Sequence, residues 1–254
     1  MSPSKGTWTS RTMRRFVRML AWVVLIPALA LAGTTDEDKL PLQPYRARYQ
    51  VSYRGLVGGQ IAASLQPGPA DDRWTYETHA FPNMLGRLAI SSAAHERGTM
   101  EITADGVRPL AYEYDDGKSG DDKDIRLEFD WDAMHVTGTS KGKALEQELK
   151  AGTQDTASVQ AAMIRELVAG RAPQSFRIIT GGKVGDYRYW SEGNARVTTP
   201  LGEFDTVIWA NQKDGSSRVT KVWHAPSLGF VPVQAIQYRD GQAEMQMRIV
   251  KLER

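Results

Sequence analysis

Cysteine is absent from all 254 residues, which excludes disulfides, a thiol nucleophile, cysteine-ligated zinc, haem-attachment motifs and a lipidated N-terminal cysteine. Histidine is scarce: His79, His95, His135 and His224 are the four, and no two stand at i, i+2 or i, i+4, so no local metal chelate is written in. His79 and His95 fall on neighbouring predicted strands and could meet, but the plainer expectation is an outward imidazole on each. No Gly-x-Ser-x-Gly elbow supports a hydrolase nucleophile, and no Asn-x-Ser/Thr sequon is present. Gly181-Gly182-Lys183 lacks the following hydroxyl residue and the earlier glycine of a phosphate loop, and so reads as a turn. Asp115, Asp116, Asp121, Asp122 and Asp124 lack the spacing and closing glutamate of a calcium loop and read as a solvated hairpin tip. No catalytic constellation emerges. The sequence predicts no metal and no cofactor, and its balance leans away from an enzyme.

Acidic residues are also missing from the first 32 positions, which carry Lys5, Arg11, Arg14, Arg15 and Arg18. Leu20–Ala32 follows as an uncharged apolar run of thirteen, ending in Ala30-Leu31-Ala32 before Gly33. This pattern predicts a secretory signal peptide over 1–32, cleaved after Ala32 on the general secretory route, with the mature chain in the periplasm. An uncleaved anchor is the alternative, helped only by Val17 and Met19. Removing those five basic residues leaves 27 Lys and Arg against 30 Asp and Glu, a net charge of −3. The basic excess of the whole chain is therefore no nucleic-acid footprint.

Residues 33–44 read as a flexible leader. Then strict alternation begins: Tyr45, Ala47, Tyr49, Val51 and Tyr53 share one face, with Arg46, Arg48, Gln50, Ser52 and Arg54 on the other. Gly55, Gly58 and Gly59 break it before Ile61-Ala63-Leu65 resumes. Similar short runs recur at 74–80, 88–102, 110–114, 125–131 and 135–137. After residue 175 they continue at 176–180, 187–190, 195–199, 204–210, 218–224, 231–238 and 244–250. About a dozen strands at this spacing predict a mainly β fold, an antiparallel barrel-like structure or curved β-sandwich, as one domain over 45–254. One segment differs. Thr153–Gly170 carries Val159, Ala162, Met163, Glu166 and Leu167 at helical spacing, with Asp155 or Thr156 to cap it and Gly170 to close it. A single helix of about fourteen residues is expected there, packed on a sheet face or plugging a barrel mouth. It divides the strands into halves, 45–150 and 171–254, compatible with two sheets.

Seven Trp and nine Tyr sit mostly within these runs. They fill a wide β core, or line a cavity or groove for an apolar or sugar ligand. Tyr45, Tyr49, Tyr53, Trp190 and Trp223 are the candidate ligand-binding residues.

The chain resembles the bacterial domain-of-unknown-function family 3108 of exported envelope proteins. The likeness rests on Tyr49-Gln50-Val51-Ser52-Tyr53-Arg54-Gly55-Leu56 with Gly59, on Arg126-Leu127-Glu128-Phe129-Asp130-Trp131, and on the helix start at Asp155–Ser158. It continues through Thr198–Phe204, Val222-Trp223-His224-Ala225-Pro226 and Val231-Pro232-Val233, in order across about 45–252. The resemblance implies an all-β, barrel-like exported domain and brings no catalytic residues with it. Physically those motifs read as structural: Pro200-Leu201-Gly202 as a tight turn, Gly55 and Gly59 as relief of crowding, Pro226 and Pro232 as an edge or loop.

Three functional expectations follow. The first is a non-enzymatic periplasmic protein that binds an apolar or amphipathic envelope molecule, a lipid or glycan. An enzyme acting on envelope polysaccharide, and a structural adaptor with an envelope protein partner, are the alternatives. An integral outer-membrane barrel is disfavoured, since the strands are short and Lys251–Arg254 carries no aromatic residue.

Overall fold

A computed structural model describes residues 42–120 and 122–254; the expected signal peptide and most of the expected leader lie outside the described residues. The alternating run at Tyr45 becomes β1 (Tyr45–Tyr53), and the chain then folds back repeatedly through β2 (Leu56–Pro67), β3 (Arg73–Pro82), β4 (His95–Thr103) and β5 (Gly106–Asp115). It continues through β6 (Ile125–Asp130), β7 (His135–Ser140) and β8 (Lys143–Glu148). A short β9 (Thr153–Asp155) leads into α1 (Ser158–Val168). Then come β10 (Ser175–Thr180), β11 (Lys183–Thr199), β12 (Gly202–Lys213), β13 (Arg218–Ala225), β14 (Val231–Arg239) and β15 (Gln242–Glu253).

All fifteen strands form one sheet, in the order β8-β7-β6-β5-β4-β3-β2-β1-β15-β14-β13-β12-β11-β10-β9. Its neighbours are antiparallel except β9 and β10. The two halves flanking α1 are thus not separate sheets. β1 pairs with β15 from Arg46↔Glu253 to Tyr53↔Met245, which joins them at a seam. The sheet is curved and barrel-like but does not close, because β8 and β9 remain its ends. The strand count exceeds the expected dozen partly through β8 and β9. β8 (KALEQE) has no apolar alternation, and β9 has only three residues.

Inward positions alternate as the period of two requires. Tyr45, Ala47 and Tyr49 join Leu65, Tyr76, Met100, Leu127 and Ile249 in one core. The helix is shorter than expected, eleven residues, because 153–155 is taken up by the β9 ladder with β10. Its apolar stripe is real. Val159, Ala161, Ala162, Met163, Ile164 and Leu167 are all buried. α1 touches β3, β4 and β5, while Met163 and Leu167 pack on Trp209 of β12, so the helix lies within the curl of the sheet. Gly98 of β4 makes room for it: a Cβ there would stand 2.5 Å from that of Ala157. The Arg165 guanidinium then donates to Thr103 O (2.9 Å) and to Ala104 O, tying the helix to the β4–β5 turn.

Pro200 and Leu201 do join β11 to β12, with the Leu201 N–H on Thr199 Oγ1 at 3.2 Å. Pro232, expected at an edge or loop, instead lies inside β14, an interior strand. The register with β13 shifts between Trp223 and His224, and this bulge accommodates a residue with no N–H to give. Gly59 fulfils its expected role. Its φ is +142°, and a Cβ would come within 2.4 Å of Phe81 O.

Candidate functional site

Inside the curl, strands β4 and β5 bring polar side chains onto the start of α1. Thr156 Oγ1 and Tyr112 OH both donate to Glu96 Oε1, the latter at 2.9 Å, and the two hydroxyls lie 2.8 Å apart. Asp155 Oδ1 accepts the N–H groups of Ala157 and Ser158, each at 2.7 Å, while the Asp155 N–H donates to Ser158 Oγ. This is the expected cap, placed just ahead of the helix. Asp155 Oδ2 is buried without a partner. Burial pushes the Asp155 carboxyl up to about 7, against the pull of the Ser158 and Ala157 N–H groups and with a further push from Glu96. Asp155 has no exposed surface. The arrangement caps a helix and seats it.

The five aromatic candidates are not brought together. Tyr45 and Tyr49 are in the core beside Tyr76, and burial raises the pKa of all three phenols. Tyr49 OH donates to Pro232 O across the seam at 2.9 Å. Tyr53, on the same face of the same strand, is half exposed at the rim. Trp190 stands half-buried on β11, its indole N–H on Glu192 at 3.3 Å, and Trp223 half-buried on β13 packs against the core. β14 and β15 separate Trp223 from the tyrosines of β1.

A concave feature lies on the other face of β1. Arg46↔Ser64↔Glu77 and Arg48↔Ala62↔His79 are cross-strand rows, and the small residues of β2 leave a groove of about 330 Å³. Lys251 and Glu253 of β15 complete its wall, paired at 2.5 Å. Their hydrogen bond lowers the Glu253 pKa, helped by the fields of Lys251, Arg46 and Arg48. Glu77 is engaged by Arg97 at 3.2 Å. Among the described residues Arg46 and Arg48 have no ion-pair partner, and Arg48 instead lies 4.7 Å over the Phe81 ring. Phe81, outside the groove lining, is exposed, as are Leu56 and Val57 on β2 and Met84, Leu85 and Leu88 in the β3–β4 connection.

The two histidines that could meet do so, and the acidic run expected as a solvated tip assembles with Asp116 and Asp124 buried. His79 and His95 stack with centroids 6.0 Å apart, as a direct cross-strand pair. Asp115, Asp116 and Asp124 bring carboxylate oxygens within 4.8 Å of one another at the β5–β6 tip, where Asp124 Oδ1 also accepts the Asp116 N–H. Sequence reasoning missed the Glu96–Tyr112–Thr156 set, whose members are distant in the chain. It also missed the groove, whose only signal was alanine and serine at the outward positions of β2.

Among curated proteins none matches this chain. Of solved structures, a β-barrel-like protein of domain-of-unknown-function family DUF1849 from Brucella abortus is similar at TM-score 0.55 and 15% identity, over 84% of this chain and 98% of that one. At that identity the likeness shows a shared fold. A protein from Bacteroides fragilis, described as exported with a YmcC-like fold, matches at TM-score 0.35 and 9% identity over 85% and 98% of the two chains. A protein from Parabacteroides distasonis described as a lipoprotein matches at 0.36 and 9%, over 84% and 96%. No described helix is long and apolar enough to cross a membrane. The model of the protein family of unknown function DUF3108 matches residues 48–248, and the chain belongs to that family.

Proposed function

We propose that this is an exported periplasmic protein that binds an apolar or amphipathic cell-envelope molecule without converting it chemically. The observation that carries the reading is the groove over β15, β1, β2 and β3, lined by Arg46, Arg48 and Lys251, with the exposed ring of Phe81 under Arg48 just outside it. Such a surface suits a ligand with an anionic head and an apolar tail. The guanidiniums of Arg46 and Arg48 take the head, and Phe81 with Val57 takes the tail. Of the aromatic candidates, Tyr53 stands at the rim to touch the tail, while Tyr45 and Tyr49 stiffen β1 from within. The basic start and apolar run of residues 1–32 support export and cleavage after Ala32.

The test is native mass spectrometry of the protein recovered from the cell envelope, with lipid extraction of the same sample. A bound species of defined mass is expected, together with an N-terminus at Gly33. It should be lost or strongly depleted in Arg46→Gln/Arg48→Gln. A clean apo mass from freshly isolated protein overturns the reading.

A further inference from the structure

The exposed apolar side chains are not scattered. Of eleven large hydrophobics that are exposed among the described residues, eight lie at one end of the sheet, where β1 meets β2, β3 leads to β4 and β15 begins. Single exposed apolar residues are ordinary, but such concentration marks a contact surface. Its outermost part is the connection after β3, where a 3₁₀ turn at Gly86–Leu88 holds Met84 84% and Leu88 85% exposed, with Leu85 beside them. These side chains do not hold the turn in place, because polar contacts do. Asn83 Nδ2 donates to Val57 O at 2.7 Å, and Asn83 Oδ1 accepts the Gly86 N–H at 2.9 Å. Asn83 N–H donates to Gly58 O, against which Gly86 fits so closely that a Cβ would be 2.0 Å away. A rigid, convex turn thus presents three large apolar side chains with no fold-stabilising duty.

The turn itself carries charge of one sign only. Residues 80–94 contain Arg87 and no acidic residue, and among the described residues Arg87 has no ion-pair partner. Arg48 lies over Phe81, and the 65% exposed Arg54 side chain reaches past Tyr53 with one contact to Glu244. The acidic β5–β6 tip stands at the same end of the sheet and adjoins the last residues of this connection, where Ser91 Oγ donates to Gly117 O, so the basic flank lies on the β1–β3 side.

We propose that the turn at residues 82–90 docks on an anionic lipid bilayer. Met84, Leu85 and Leu88 enter the headgroup–acyl boundary, and Arg48, Arg54 and Arg87 meet the phosphates around them. A convex apolar knob with basic side chains on its β1–β3 flank fits a lipid surface, which deforms around it, whereas a single molecule needs concavity. The molecule docks tilted, with β1–β3 towards the lipid and the acidic tip in water. Met84, Leu85, Leu88 and Arg87 lie outside the groove, and Arg48 with Phe81 borders both surfaces.

The absence of cysteine makes the test direct. Leu88→Cys carries a polarity-sensitive fluorophore on the docking turn, and Ala133→Cys carries the same label on the exposed β6–β7 turn at the opposite end. Both are mixed with vesicles of phosphatidylcholine, with or without phosphatidylglycerol. The expected result is a blue shift at 88 and none at 133, much stronger with phosphatidylglycerol and reduced by salt. Met84→Ser/Leu85→Ser, read by the label at 88, should weaken partitioning on the order of a hundredfold. Arg87→Gln should weaken it about fivefold. Equal shifts at both positions, no shift at 88, or an equal response to pure phosphatidylcholine overturns the proposal. A shift that grows with protein concentration and ignores vesicles assigns the surface to a second copy and overturns it too. Because each label reports its own position, binding through the first 32 residues leaves the 88–133 difference at zero. An apo mass for the groove leaves this result untouched.

Discussion

Asp155 and His224 are both sealed in the core, and burial moves their pKa values in opposite directions. The Asp155 carboxyl rises from 3.8 to about 7, while the His224 imidazole, with Nδ1 at 2.9 Å from Phe230 O, falls from 6.5 to about 4. For Asp155 the stability is fully present below pH 3.8, where folded and unfolded chains are both protonated. It is lost as pH rises through about 7, because the unfolded chain ionises first. For His224 it is present above 6.5 and lost as pH falls through about 4. The two dependences oppose each other between about 4 and 6.5, and partly cancel. Asp155→Asn removes one of them while keeping an oxygen for the Ala157 and Ser158 N–H groups. Relative to wild type, the variant should gain on the order of 3 kcal/mol as pH rises from about 4 to about 7. Urea unfolding across that range measures it. A difference between the two proteins that does not change with pH would show that Asp155 ionises normally.

At the scale of elements, α1 converts an open sheet into a filled one. Leu167, 6% exposed, reaches Trp209 and Met163, which the core around β1 does not contact directly. Leu167→Ala should therefore destabilise the protein by about 2–4 kcal/mol, with a lower denaturation midpoint. A change below about 0.5 kcal/mol would mean that the helix is not a structural wedge. This element was legible in the sequence because helical spacing interrupts an otherwise two-residue period; its first turn was not, since Thr153 and Gln154 are drawn into the β9 ladder by Arg177 and Ile178 of β10. The strands of β1, β5 and β6 were legible for the complementary reason, with one face apolar and the other polar. β8 was silent because both its faces carry polar residues. The exposed turn after β3 was read instead as the start of a strand, because apolar residues are taken to point inward. Here Asn83 and the Gly58–Gly86 contact hold the backbone and free Met84 and Leu88 to face outward. The Glu96–Tyr112–Thr156 set and the groove depend on register between strands, which no local pattern records.

Across the whole molecule, the chain order and the spatial order differ by one rotation. Every neighbouring pair of strands is sequential except β1 and β15, while the sheet ends fall between β8 and β9, which are sequential in the chain. The seam is well made. Eight cross-strand pairs link β1 to β15, and Arg254 donates to Gln43 at 3.0 Å, so residues 254 and 42 are near one another. A permutant that joins Arg254 to Leu42 by a short Gly-Ser linker, and opens the chain between Leu149 and Gly152, would run β9 to β15 and then β1 to β8. Its strand order in sequence would be its strand order in space, with α1 still following β9. Long-range pairing of the first strand with the last, the costliest loop to close, becomes a local hairpin. We expect the permutant to fold to the same β-rich spectrum and to refold faster than the natural order. Only the cut region should lose stability, through contacts such as Leu149 N–H to Met134 O and Thr153 Oγ1 to Lys150 O. Stopped-flow refolding compares the two. A permutant that folds more slowly would mean that the β1–β15 seam forms after the rate-limiting step, and that the nucleus lies within one half of the sheet.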